Sequence, residues 1–436
     1  MSKVDFMEKT VKEQIVVELP RTGDPWIDSG IVSFADMFAA GRRIPNLGGK
    51  PALEQIDVQW QGKDTISISG KNQKFIEDFL KTLFDHVKSI QYIENTSNKV
   101  CVFNEKKDDF EVVPKVNLVG VVGFLFGGGD LKAKYRKIPL TNRLRKKLNK
   151  TKGLYQKQKN VTFNVDENNR TYSSHPHFNW PYKPNLEGKS ARCSFCRRSV
   201  PCSHLHANNY PFAVATEHFM NFFSNLQFEP GICSLCELAS LFAINRVFFN
   251  LSEGRSRLFL AIPHAQSLDE LDRFWQEMKP ILPPEPLKKT SNILDEGYRY
   301  RRLDESILAF CLELYLKLRK VKESDRRLKE ASTKTWHFYF ARREGKTVFF
   351  EGYAHLTSLH RLFALFSTLP AEEFKQTFQN LTIRQGEQWR TELRNQMAHR
   401  IIKNADLNDL AERIMWEKGY VRNLTNFVEQ YSIWRG

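Results

Sequence analysis

Between Pro25 and Gly41 the chain reads PWIDSGIVSFADMFAAG, and Trp26, Ile27, Ile31, Phe34, Met37 and Phe38 recur at helical spacing. Asp24 or Thr22 is placed to cap that helix, and Gly41 to stop it. Just upstream, VKEQIVVEL at 11–19 carries a β-branched run that predicts a strand, and Thr22-Gly23-Asp24-Pro25 predicts a turn. IDVQWQGKDTISIS at 56–69 predicts a hairpin around Gly62-Lys63-Asp64. Positions 72–89 return to helical periodicity. The N-terminal region therefore reads as mixed α and β.

The pattern changes further along. Residues 161–255 predict loops first, then helices over 215–223 and 235–250. Pro280, Pro283, Pro284 and Pro286 mark a boundary. Beyond it, 300–322, 355–368, 371–380, 385–402 and 406–430 show helical periodicity. FYFARREGKTVFF at 338–350 interrupts them and predicts a hairpin turning at Glu344-Gly345-Lys346. The expected fold class is α+β: a mixed α/β N-terminal region, a four-cysteine zinc-ribbon-like insert and a C-terminal α-helical bundle. The expected divisions are 1–130 (α/β), 131–160 (basic loop), 161–260 (zinc-binding), 261–287 (Pro-rich linker) and 288–436 (helical bundle).

Charge sharpens this picture. The chain has 436 residues, 66 Lys+Arg against 50 Asp+Glu, and a formal net charge of +16. Such an excess points to a polyanionic partner, nucleic acid first. Twelve Lys or Arg and no Asp or Glu lie between Leu131 and Asn160, equal to three quarters of that excess. The segment follows GFLFGGGD, whose glycines let a backbone approach a partner closely. It is not a P-loop, because Asp130 follows the glycines where a Lys is needed. The candidate nucleic-acid contacts are Gly127, Gly128, Gly129, Lys132, Lys134, Arg136, Lys137, Asn142, Arg143, Arg145, Lys146, Lys147 and Lys150. Phe124 and Phe126 fit a buried role better than a wedge between base pairs. A second group of cations, from Arg299 to Lys329 with Tyr298 and Tyr300 among them, reads first as a solvated helix surface.

No stretch reaches the ~20 apolar residues of a membrane helix. The charged N-terminus lacks a signal-peptide core. Seven Cys, four of them in two C-x-x-C pairs, suit a reducing compartment. A cytoplasmic location with no membrane partner is expected.

Those pairs are the sharpest motif. Cys193-Ser-Phe-Cys196 and Cys233-Ser-Leu-Cys236 each present two thiolates to one ion, and together they complete a four-cysteine site. Structural Zn²⁺ is the expected cofactor, because four thiolates leave no open position for chemistry. Cys202, His204 and His206 lie between the knuckles and offer a substitute ligand, although a loop role is the plainer reading. His175 and His177 read the same way.

Signs of catalysis are sparse. Arg394-Asn395-Gln-Met-Ala-His399 is similar to the R-N-x-x-x-H signature of HEPN-type ribonucleases, in which a cation and a proton carrier act on a phosphate. Arg197 and His204 satisfy a looser form of that spacing inside the zinc segment, and positions five apart diverge on a helix. A non-enzyme is the first expectation. A ribonuclease using Arg394 and His399, or a zinc-containing DNA-binding factor without guide RNA, is the alternative.

TGDPWIDSGIVSFADMF resembles the opening of the large subunits of type I-B CRISPR-associated Cascade complexes, and so does CSLCELASLFAINRVFF at the second knuckle. The order of parts is similar too. The C-terminal bundle resembles that family only in being helical. The resemblance implies a non-catalytic subunit of a crRNA-guided complex, beside the subunit that caps the crRNA handle and the backbone subunits. It implies recognition of the PAM in duplex DNA, support of R-loop formation with its displaced strand, and recruitment of a helicase-nuclease or a transposition machinery. It also implies a small subunit, in several systems made by internal translation; Met278 is placed as a start by position alone.

Overall fold

Pro25 occupies the first position of the helix Pro25–Asp36, where its missing N–H costs nothing. Asp24 caps it by accepting from the Ile27 N–H at 2.8 Å. Every side chain from Trp26 to Ala35 is buried, so the helix is a central element and not an amphipathic cover. Asp28 inside it accepts from Thr22 N (2.8 Å), Thr22 Oγ1 (2.7 Å) and Gly23 N (3.1 Å). The motif Thr22–Gly30 is thus a joint, buried from Trp26 onward. It packs on the helix Ser234–Phe242, where Trp26 Nε1 donates to the Ser240 carbonyl at 3.0 Å.

This computed structural model describes residues 15–36, 56–126, 134–163, 171–177, 182–186, 191–207, 209–213, 230–252, 256–294, 300–345, 347–385 and 388–435. Side chains at 85–96, 117–118, 134–138, 171–177, 383–385 and 388–390 lie outside that description.

The protein is α+β, as expected. One continuous core runs from Leu19 to Tyr431. At its centre is a four-stranded antiparallel meander of Phe248–Leu251, Arg257–His264, Thr335–Glu344 and Thr347–Leu356. Strand alternation turns Trp336, Phe338 and Phe340 inward, and the helix Leu303–Arg319 covers that face. A three-stranded sheet of Ile15–Pro20, Asp57–Gln61 and Thr65–Gly70 joins with the helix Gln73–Gln91. The C-terminal helices His360–Thr368, Ala371–Asn380, Glu392–Lys403, Asn408–Lys418 and Leu424–Arg435 cluster beside the meander.

A second, smaller unit stands apart on its own core. Tyr92–Asn104 pairs antiparallel with Asp109–Leu118 and parallel with Val161–Phe163 and Thr171–His177, and the last of these pairs with Lys134–Pro139. Cys101, Phe103, Phe110, Leu140 and Leu148 form its separate core.

Several expected divisions differ. The 131–160 segment is not a loop: it carries the strand Lys134–Pro139 and the helix Asn142–Tyr155, because Leu140, Leu144 and Leu148 give it an apolar side to bury. The 261–287 stretch is not a linker. Its helix Leu268–Met278 buries Leu271, Phe274, Trp275 and Met278 in the main core. The 1–130 division mixes two cores, and 288–436 contains half of the central sheet. The expected helix at 235–250 ends in a 3₁₀ turn at Arg246, since Phe248–Leu251 joins the meander. The 406–430 periodicity splits at Gly419, whose φ of +80° ends the first helix. The hairpins at 56–69 and near 338–350 form as expected. The expected stop at Gly41 and the helix at 215–223 lie outside the described residues.

Candidate metal centre and nucleic-acid interface

The first knuckle sits at the tip of a small hairpin, Ala191–Arg192 with Ser199–Val200. Cys193 N donates to the Arg198 carbonyl at 3.0 Å, and Arg197 takes a left-handed φ of +62° to close the turn. The second knuckle is built differently. Cys233 ends a strand paired with Cys202–His204 and caps the helix Ser234–Phe242, which brings Cys236 round in its first turn. All four cysteines are buried, with every sulfur within 4.8 Å of the others. Cys196 Sγ lies 3.8 Å from Cys233 Sγ.

These residues fit a tetrahedral cation. A metal–sulfur bond of ~2.3 Å implies sulfur–sulfur edges of roughly 3.8 Å. Cys196 is shifted toward the thiolate by hydrogen bonds from Cys193, Cys233 and Cys236, in that order. Cys236 is shifted the other way by its bonds with Cys193, Cys196 and Cys233. Cys193 is likewise lowered and Cys233 raised, so the four thiols compete for protons, and a cation would resolve that competition by taking all four as ligands. Cys202 is not in the cluster; its sulfur is 3.3 Å from the Val200 carbonyl. His204 ends the strand Cys202–His204 and His206 follows it; both are exposed and outside the cluster. The side chains of His175 and His177 lie outside the described residues.

The basic segment presents a helix. Thr141 Oγ1 accepts from Leu144 N at 3.3 Å to start it. Its six cations, Arg143, Arg145, Lys146, Lys147, Lys150 and Lys152, have no acidic neighbour on the helix. Leu148 and Thr151 turn inward. Arg143 and Lys147 flank that side and reach Asp108 at 2.5 and 2.8 Å. Asp108 sits at the turn after the first strand of this sheet, with φ +49°. The Lys147 hydrogen bond, and then Arg143, hold its carboxyl below the usual carboxylate range. Asn142, Lys146, Asn149 and Lys150 are exposed and share the opposite face, at spacings of four, seven and eight. With six cations and no carboxylate of its own, the helix presents a positive outer surface.

Other sequence-selected residues are distributed differently. Gly127, Gly128, Gly129 and Lys132 lie outside the described residues. Lys134, Arg136 and Lys137 are on a strand, with side chains outside the description. Gly123 is no phosphate-facing turn: it lies in the helix Gly120–Phe126, and its carbonyl accepts from Arg343 at 2.5 Å. Phe124 and Phe126 are buried. Four cations of the second group are paired internally. Arg302 meets Glu392, Lys320 meets Glu372 at 3.1 Å, and Arg326 and Arg327 meet Glu277 at 2.6 and 3.2 Å.

Arg394 and His399 do not form a joint site. Arg394 is buried, bonded to buried Glu305 at 2.6 Å, and lies 4.8 Å from the Tyr300 ring centroid. His399 is exposed and pairs with Asp304 at 3.0 Å. Sequence reasoning passed over Asp108 and Asn149. The helical spacing of Asn149 to Lys146 and Lys150 was the available signal for the latter; Asp108 is linked to the helix only by the fold.

No family model matches this chain, and no curated protein matches it. No helix among the described residues is long and apolar enough to cross a membrane.

Proposed function

We propose that this chain is a non-catalytic, zinc-stabilised DNA-binding subunit of an RNA-guided surveillance complex of the type I Cascade kind. The basic helix Asn142–Tyr155 carries the reading. It stands on a core of its own, holds no acidic residue, and turns Asn142, Lys146, Asn149 and Lys150 outward. The major groove of B-form DNA admits an α-helix. Asn142 and Asn149 suit the adenine edge, while Lys146, Lys150 and the flanking cations suit phosphate. The knuckles hold the start of the buried helix Ser234–Phe242, on which Pro25–Asp36 packs, so zinc serves the fold. The chemistry that Zn²⁺ supplies is a closed four-thiolate joint.

In this reading, guide RNA pairs with the target, and the chain reads a short flanking duplex, the PAM. Handle-capping, backbone and small subunits are its neighbours, and a helicase-nuclease or transposition machinery is recruited to it. The alternative nuclease reading loses its phosphate ligand, because Arg394 is buried against Glu305. The test is to assemble the complex with and without this chain and measure binding to duplexes differing only in the PAM. Discrimination should vanish without the chain. Full discrimination in its absence would sink the proposal.

A further inference from the structure

We propose that the outer face of the hairpin Thr335–Glu344 and Thr347–Leu356 is a stacking platform for an unpaired nucleic-acid strand. This proposal does not require the guide-dependent reading above; it stands on the chemistry of that face.

The sheet register sorts the side chains. Trp336, Phe338 and Phe340 point inward, and Gly352 lies under Leu303 on the same side. The outward positions are His337, Tyr339, Ala341 and Arg343 on one strand, and Val348, Phe350, Tyr353 and His355 on the other. None of the eight is acidic. Most carry rings, and the rings form one continuous strip. His337 lies 5.0 Å from His355 and 6.0 Å from Tyr353, and Tyr353 lies 5.0 Å from Tyr339. Phe212 extends the strip, 4.5 Å from Tyr339 and 5.0 Å from Phe350. A core would hide such rings, but here Tyr353 is 55% and Phe350 37% exposed. The Tyr353 hydroxyl is held 2.8 Å from His337 Nδ1, so the outermost ring is fixed before any ligand arrives.

The strip ends in polar ground. His264 is 5.6 Å from His337 and lines a cavity of 620 Å³ with the cations Arg21, Arg273 and Lys334 and the carboxylates Glu270 and Glu330. At the other end is Arg343. Arg273 and Lys334 also hold Asp269 and Glu330 at 3.0 and 2.6 Å, so ring contact is the larger attraction here and net charge the smaller. Flat rings with polar rims, on strand positions that hold no carboxylate, match a string of bases joined by phosphates. Base stacking is tolerant of sequence because every base offers a π face. Among the described residues the strand Thr347–Leu356 pairs on one side only, so the platform opens at the sheet edge.

The test measures the anisotropy of a fluorescein-labelled oligothymidylate of about 12 nucleotides, within the site size of such platforms. The chains compared are the wild type, Tyr353→Ala/Phe350→Ala, Tyr353→Phe and Lys146→Ala/Lys150→Ala. Circular dichroism verifies that each is folded. The double aromatic variant should bind the single strand ~20-fold or more weakly, within the range for losing one or two stacked bases. Tyr353→Phe should keep most of the binding, because it keeps the ring. The dependence on salt should be shallow, and duplex binding should be unchanged in the aromatic variants. Equal single-strand affinity in the wild type and the double aromatic variant would overturn the proposal. So would a change of oligomeric state in that variant without loss of strand binding, which would make the face a protein interface. Failure of duplex binding in the lysine variant bears on the helix alone.

Discussion

Glu305 is fully buried and uses its carboxylate completely. It accepts from Arg301 N (2.5 Å), Arg302 N (3.0 Å), Thr391 Oγ1 (3.0 Å) and Arg394 Nε (2.6 Å). It thereby caps the helix Leu303–Arg319 and ties it to the helix Glu392–Lys403. Arg394→Ala strands that carboxylate, and breaking a buried pair costs about 3–5 kcal/mol. His399→Ala breaks an exposed pair and should cost at most ~1 kcal/mol. Urea denaturation separates the two. Equal, small effects would contradict the structural role of Arg394. His337 gives a pH signature at the same scale. Burial first, then His264 and His355, lower it from its usual value to about 4. The unfolded chain therefore binds more protons between pH ~6.5 and ~4, and this residue's contribution falls as pH drops through that window. His337→Gln should flatten that part of the stability curve, read by thermal melts across pH.

At the scale of elements, two joints decide the fold. A Cβ on Gly30 would overlap the Ala239 carbonyl, so the helices Pro25–Asp36 and Ser234–Phe242 meet backbone to backbone. Gly30→Ala should destabilise by at least ~1–3 kcal/mol or prevent folding, as overpacking does. The knuckles anchor the start of the second of these helices, through Cys233 and Cys236. Cys193→Ser or Cys233→Ser should lose stoichiometric metal by elemental analysis and lower the melting temperature, and a strong chelator should do the same to the wild type. Retained metal at one ion per chain in both variants would contradict the assignment. The knuckles and the first helix were legible in the sequence because spacing and periodicity are local. The basic helix was not, although Leu140 before it and its apolar positions 144 and 148 were visible. Lysines dominate its composition, and the apolar stripe acquires meaning only against Phe103 and Phe110, far away in sequence. The aromatic face stayed hidden for a related reason. FYFARREGKTVFFEGYAHL has rings on both sides, and only the helix over one side tells inward from outward.

Over the whole molecule, the proline cluster misled because prolines mark turns without marking domain ends. The chain passes through it inside one core. Arg257–His264 pairs along its whole length with the strand Thr335–Glu344, from Arg342 back to Thr335. A fragment starting at Met278 lacks that strand and also cuts through a buried helix end. Expressed alone, 278–436 should therefore show little cooperative unfolding, whereas a sharp transition would make it a separate domain. Charge is partitioned at the same scale. In the C-terminal third Arg302, Lys320, Arg326 and Arg327 meet carboxylates, while the helix Asn142–Tyr155 has no acid of its own, places two cations on Asp108 and turns Lys146 and Lys150 outward. Duplex binding should depend on that one surface. The most direct measurement is the slope of log affinity for a short DNA duplex against log salt concentration, for the wild type and for Lys146→Ala/Lys150→Ala. Each phosphate contact removed should lower the slope by about 0.9, so a drop of one to two units is expected. Identical slopes for the two proteins would mean that this helix does not face DNA.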